Sequence, residues 1–385
     1  MRTLRQHLRL GVLAVFCAAA TDAARAQPPV LTAELSDTTV LTIGKPHRLY
    51  TMAYDGSAVV FDTDTGRIEA QVPIGANATL DFSPDNTRIY VGETMWTHGN
   101  RGDRIDLLSI YDASTLNLLK EITVPPRAPV NLKYNNTSIS ASGHRAYLYN
   151  LHPATSITWV DLRKETVGGT VEVPGCAMAF AWGETGVSSV CGDGSLAMVT
   201  VPDTGAPTVT HTKSFFDAAV DPVFDNSLYD AATGTAVFLS YTGLVYEARL
   251  GPKPVIDKPW SLQRTAGYEA AGTGADELAW RPGGRQPIAW HKASDRLFVL
   301  MHVGPYWSHK AHATEIWVLD RKSRLLLHRW RSPMPTRSVT VSQDAQPQLY
   351  LVSMEAPAAV MDANTGEVLR TIEAGLAEAA TLAGH

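Results

Sequence analysis

Five times along this chain, a run of β-branched, aliphatic or aromatic residues ends on an aspartate that opens a short polar turn. The copies are Val59-Val60-Phe61-Asp62, Ser109-Ile110-Tyr111-Asp112, Thr158-Trp159-Val160-Asp161, Ile316-Trp317-Val318-Leu319-Asp320 and Ala359-Val360-Met361-Asp362. Weaker copies near Leu196 to Thr204 and Leu244 to Leu250 bring the number of units to seven. Clear aspartates lie 50 (62 to 112), 49 (112 to 161) and 42 (320 to 362) residues apart, close to the roughly 40–50 residues of a four-stranded propeller blade. The 159 residues from 161 to 320 hold the two weaker units and one long insertion. A repeat of this kind overrides the two or three domains that 385 residues would otherwise suggest.

A turn followed by a strand precedes most clear copies: Ser83-Pro84-Asp85-Asn86 before Arg88 to Val91, Ser142-Gly143 before Ala146 to Tyr149, Ser294-Asp295 before Leu297 to Met301, and Ser342-Gln343-Asp344 before Leu349 to Val352. Strand, hairpin, strand, hairpin is the pattern of an antiparallel blade. Helical periodicity is nearly absent beyond the first residues, which excludes a doubly wound sheet or a barrel of alternating strands and helices. The expected fold is all-β: a seven-bladed β-propeller of four-stranded antiparallel blades over residues 39–385, preceded by an N-terminal arm over 27–38. Either that arm or the tail from Ala374 could supply the strand that closes the ring.

Residues 1–26 carry Arg2, Arg5 and Arg9 ahead of the apolar run Leu10 to Ala20, then Ala24-Arg25-Ala26, a small-x-small cleavage pattern. This reads as a secretory signal peptide. No later stretch approaches the roughly 20 apolar residues of a spanning helix, so a soluble, exported protein without a membrane span is expected. Losing the segment removes four arginines and one aspartate, taking the net charge from −5 to −8, a balance that argues against nucleic acid. Cys17 leaves with the signal, and Cys176 and Cys191 remain. Gly175-Cys176 opens the first strand of a blade and Cys191 ends the second. Antiparallel neighbours place those two points at one edge of a sheet, so a disulfide is expected.

With the strands of a blade named a to d from the axis outward, the b–c loops and d–a connections share one face of the disc. Its two longest b–c segments are Glu93 to Asp106, with Trp96, His98, Arg101 and Arg104, and His302 to Thr314, with Tyr306, Trp307, His309, Lys310 and His312. Aromatics and arginines there suit a protein interface or channel rim; packed loop anchors are the competing reading. Asp62-x-Asp64-x-Gly66 and Asp362-x-Asn364-x-Gly366 resemble the start of a calcium loop, but lie between two strands, where Asp and a positive-φ Gly are ordinary hairpin chemistry. His302, His309 and His312 match no defined ligand spacing, so a surface role is expected and no metal site is assigned. No GxSxG elbow, Walker loop or complete GxGxxG occurs, and no catalytic residue is assigned.

The run Pro153-Ala154-Thr155-Ser156-Ile157, then Cys176, then Cys191-Gly192-Asp193-Gly194-Ser195-Leu196 resembles the heavy chains of the methylamine and aromatic amine dehydrogenases. Further similar segments follow in order, among them Arg101-Gly102-Asp103-Arg104-Ile105-Asp106, Trp280-Arg281-Pro282-Gly283-Gly284 and Trp307-Ser308-His309-Lys310. That resemblance implies a periplasmic heterotetramer of two heavy and two light chains. The light chain carries tryptophan tryptophylquinone, the heavy chain carries no cofactor, and electrons from a primary amine pass to a cupredoxin such as amicyanin or azurin, or to a cytochrome c. The heavy chain shapes substrate access and supports the light chain. One departure is the connection Ala53-Tyr54-Asp55-Gly56-Ser57, shorter than the segment that contributes to the family's channel, so substrate preference is not carried over. A stand-alone periplasmic scaffold or binding propeller is the alternative function.

Overall fold

A computed structural model of the chain describes residues 40–52, 56–75, 77–99, 101–127, 133–373 and 379–383. The signal peptide, the N-terminal arm and most of the short connection at 53–57 lie outside the described residues. No helix among those described is long and apolar enough to cross a membrane.

The described strands form seven antiparallel sheets arranged as the blades of a propeller. Blade 2 illustrates the plan, with a to d at Thr79–Phe82, Arg88–His98, Arg101–Asp112 and Leu118–Thr123. Blades 3, 4 and 7 repeat it with inner strands Thr137–Ile139, Cys176–Trp182 and Ser338–Val341. Blade 5 starts at Leu228–Asp230, and the expected insertion follows it as a short strand at Trp260–Ser261 and a one-turn helix at Leu262–Thr265. In blade 6 the inner position is shared by Ala279–Pro282 and Ile288–His291, both paired to Arg296–Gly304. Ring closure comes from the tail: Ala379–Leu382 is the inner strand of blade 1, antiparallel to Arg48–Met52, with Leu49 opposite Leu382 and Met52 opposite Ala379.

Both faces of each blade are covered, which is why the repeating strands read as near-continuous apolar runs. Alternate residues point to opposite faces, so Tyr50 and Val60 of blade 1 pack against Leu80 and Ile89 of blade 2, while Leu49 and Phe61 pack against Tyr350 and Val360 of blade 7. The repeating aspartate closes the c–d hairpin: Asp112 Oδ1 accepts from the backbone N–H groups of Ser114 and Thr115, both at 2.9 Å. Asp362 accepts likewise from Asn364 and Thr365 N–H, and Asp62 from Asp64 N–H and the Thr65 hydroxyl, ahead of Gly366 and Gly66, whose φ angles are 78° and 73°. The calcium-like spacing is therefore hairpin geometry. Cys176 and Cys191 face each other across strands a and b of blade 4 and form the disulfide, a bond between residues 15 apart.

Candidate partner-docking face

The blade 2 segment expected as a loop is largely an extended hairpin. Strands b and c run on to His98 and from Arg101, with Met95 opposite Ile105 and Trp96 opposite Arg104. Residues alternate across the hairpin, so Met95 and Ile105 form an exposed apolar pair, while the Arg104 guanidinium sits over the Trp96 ring, 5.7 Å from its centroid. Arg104 is also held from behind, donating to both Asp106 carboxylate oxygens at 2.7 and 2.8 Å and to the Arg127 carbonyl at 2.6 Å. Arg101, at the tip, is exposed.

At the hairpin base lies a buried polar knot. Arg127 is buried and donates to Thr94 Oγ1 at 3.2 Å and the Asn77 carbonyl at 3.1 Å. Burial pulls its guanidinium down to about 10, while Asp106 and Glu93 oppose that shift. Glu93 is fully buried; its carboxylate accepts from Gly75 N–H at 2.6 Å and from the Ser109 hydroxyl, and burial raises its pKa. Neither Arg127 nor Glu93 stood out in the sequence, because a single charged residue in a turn or strand carries no periodic signal.

The blade 6 loop separates the two aromatics that the sequence offers together. Tyr306 is an anchor, 5% exposed, its hydroxyl donating to the Val220 carbonyl and its ring 5.6 Å from the guanidinium of fully buried Arg281. Its neighbour Trp307 is 62% exposed. Behind Trp307, the His309 imidazole stacks on Tyr241 of blade 5 with centroids 4.0 Å apart, and Trp307 meets the Tyr241 edge at 6.2 Å. An aromatic platform thus bridges blades 5 and 6, with Trp307 as its outermost ring.

The expected surface role does not describe His302, which is buried, is bonded through Nε2 to Ser308 Oγ at 2.8 Å, and has its pKa lowered to about 4 by burial, Arg281 and His309. Burial likewise lowers His309, followed by Lys310. His312 pairs with Glu355 at 3.3 Å. The three histidines thus do not assemble a ligand set. Among the described residues the one group with metal-ligand proximity is Cys176, Cys191 and His211, and its sulfurs are already joined in the disulfide. Trp280 and Trp317 are neighbours, 5.5 Å apart, but Arg329 caps both rings at 4.7 and 5.1 Å and Glu315 anchors it, a structural cation–π cluster. What this face presents is exposed apolar and aromatic surface on rigid supports, suited to docking.

The model of the methylamine dehydrogenase heavy chain family matches residues 47–383. Among curated proteins, the methylamine dehydrogenase heavy chain of Paracoccus versutus is 28% identical over 82% of this chain and 72% of its own length. The corresponding protein of Methylophilus methylotrophus is 26% identical over 89% of this chain and 85% of its own. Solved structures with a similar fold include a dihydro-heme d1 dehydrogenase, at TM-score 0.56 and 14% identity over 90% of this chain and 76% of that one. The Swd1 β-propeller domain of Myceliophteria thermophila follows at TM-score 0.55 and 12% identity over 86% and 94%. At such identities the likeness is one of fold.

Proposed function

This chain belongs to the methylamine dehydrogenase heavy chain family, and from that premise we propose that it is the quinone-free large subunit of a periplasmic amine dehydrogenase, docking a light chain on the face of its long b–c segments. The family match over nearly the whole propeller carries this reading. Exposed Trp307 and the Met95–Ile105 pair supply desolvatable surface, and Tyr306, Arg281, Arg104 and Asp106 hold the backbone beneath them. Rigid apolar anchors within a polar surround suit a stable interface, here expected to exceed the standard size of about 1,600 Å² because the contact is obligate. In the complex, the light chain's tryptophan tryptophylquinone supplies the oxidation of a primary amine to aldehyde and ammonia, with electrons leaving to a cupredoxin or cytochrome. This chain's own task is to bind, orient and shield that subunit.

The test is purification of the tagged chain from the periplasm of its native cell, with mass spectrometry of co-eluting proteins and a visible absorption scan. A small co-eluting chain with an absorption band that bleaches on adding a primary amine is the expected result. A colourless monomer from amine-grown cells sinks the proposal and leaves the stand-alone scaffold.

A further inference from the structure

The axis of the disc holds a cavity of about 350 Å³ lined by inner strands of six blades. On the docking face, residues 133–136, which lead into the inner strand of blade 3, lie across it. The Tyr134 hydroxyl donates to the Ala380 carbonyl of blade 1, and Asn135 Nδ2 donates to the Ser227 carbonyl of blade 5 at 2.9 Å. Gln286 of blade 6 clamps the same point, donating to the Ala380 carbonyl at 3.2 Å and accepting from its N–H at 2.9 Å. At the other end the lining residues belong to a–b turns, and Pro84, Ala141 and Ala232 there are exposed. Among the described residues the channel is thus a blind well, open on the face opposite the docking surface.

Its wall carries two carboxylates. Asp230 is already paired, 3.3 Å from Lys292 Nζ. Asp81 is not: Oδ1 accepts from Phe82 N–H at 2.8 Å and Oδ2 from Ile139 N–H at 3.1 Å, and among the described residues no cationic side chain lies within ion-pair distance. Each oxygen therefore keeps acceptor capacity. Around Asp81 the wall alternates between apolar Leu80, Ile139 and Ile288 and the hydroxyl-bearing Ser140 and Thr137. A half-enclosed space of this size with a few placed polar groups is the usual form of a small-molecule site.

We propose that this well binds a small organic monoammonium ion, its charged head on Asp81 and its apolar body against the Leu80, Ile139 and Ile288 wall. The ammonium's several donors match the two carboxylate oxygens, whereas one unpaired carboxylate, with Asp230 already held by Lys292, is a poor cage for a bare metal ion. Burial raises Asp81 to about 7, with backbone donation from Phe82 and Ile139 and the charge of Lys292 opposing the shift, so the carboxylate is predominantly charged at pH 8.

The site is independent of the light-chain reading, because the well lies within this chain and opens on the other face. The test is isothermal titration of the purified full chain at pH 8 with n-butylammonium and benzylammonium chlorides, with potassium chloride as the control. Expected is one saturable site per chain for an organic ammonium, weakened at least tenfold in Asp81→Ala. Because Asp81 also joins two blades, Ala231→Trp serves as a second variant: it narrows the mouth without touching that carboxylate and is expected to abolish binding in a protein with an unchanged melting temperature. The proposal is overturned if neither ammonium binds at millimolar concentration, if binding survives Ala231→Trp, or if potassium competes at equal concentration.

Discussion

Asp81 connects blades 2 and 3 through the Ile139 N–H, and its burial has a thermodynamic consequence. Its folded pKa, about 7, lies above the ordinary 3.8, so the native state holds a proton that the unfolded chain releases. The stability tied to that proton is fully present below about pH 4 and lost as pH rises through 7, by up to roughly 4 kcal/mol. Lys292 faces Asp81 from blade 6 and Tyr90 neighbours it on strand b of blade 2; Lys292 works against the rise. Urea denaturation between pH 5 and 8 should show this loss in the wild type and a flatter curve in Asp81→Asn; identical slopes would refute the assignment. The two neighbouring loop aromatics should also separate experimentally. Trp307→Ala, at an exposed ring, should leave the melting temperature unchanged and weaken light-chain capture about 30-fold, as loss of a hot-spot aromatic worth ~2 kcal/mol does. Tyr306→Phe, which loses the hydroxyl bonded to Val220, should instead cost ~1 kcal/mol of stability. The sequence offered both rings as equivalent, since exposure is decided by contacts with distant residues, the Val220 carbonyl in the case of Tyr306.

At the scale of strands and hairpins, the repeating aspartate was the most legible element. Asx-turn chemistry is local, so the c–d hairpin is readable from four or five consecutive residues. In blade 2, hydrogen bonds led by the Ser114 hydroxyl pull Asp112 down to about 2. That contribution is present above the unfolded carboxylate range and lost as pH falls towards 2. Asp112→Ala should lower stability by ~1 kcal/mol at pH 7 and by less near pH 2, measured by thermal unfolding at both pH values. Less legible were the arginines that join neighbouring blades. Arg145 of blade 3 donates to the Val201 carbonyl and the Asp203 carboxylate of blade 4, both at 2.5 Å, and Arg296 of blade 6 reaches Asn364 of blade 7 at 2.9 Å. The projecting blade 2 hairpin was read as a loop because its exposed alternation of Met95, Trp96 and charged residues lacks the apolar face that marks a half-buried strand.

For the whole molecule, closure of the ring governs cooperativity. Among the described residues, seven apolar clusters, one between each pair of neighbouring blades, join the propeller into a circle, and the circle closes on four residues, Ala379–Leu382. Truncation after Glu373 removes the inner strand of blade 1 together with the carbonyl that anchors Tyr134. The expected result is a protease-sensitive chain without a sharp melting transition; a truncated protein that melts as cooperatively as the full chain would show that closure is dispensable. The disulfide acts on a smaller loop. Its 15-residue separation gives roughly 3 kcal/mol in the chain-entropy model, so Cys176→Ser with Cys191→Ser should lower the unfolding free energy measured by urea denaturation by that amount while leaving the blade count intact.

The sequence by itself determined the number of units, the four-strand order within a unit and the cysteine pairing, because each depends on hydrophobic alternation, turn chemistry and strand direction over a few tens of residues. Only the tertiary structure decided which end closes the ring, that residues 133–136 bridge the axial channel on one face, and which loop aromatics face solvent. Those outcomes rest on contacts between distant residues, such as Tyr134 and Ala380, separated by 246 positions. No local pattern encodes them, since one unpaired strand edge or one buried carbonyl offers the same chemistry to any partner that the closed ring brings within reach.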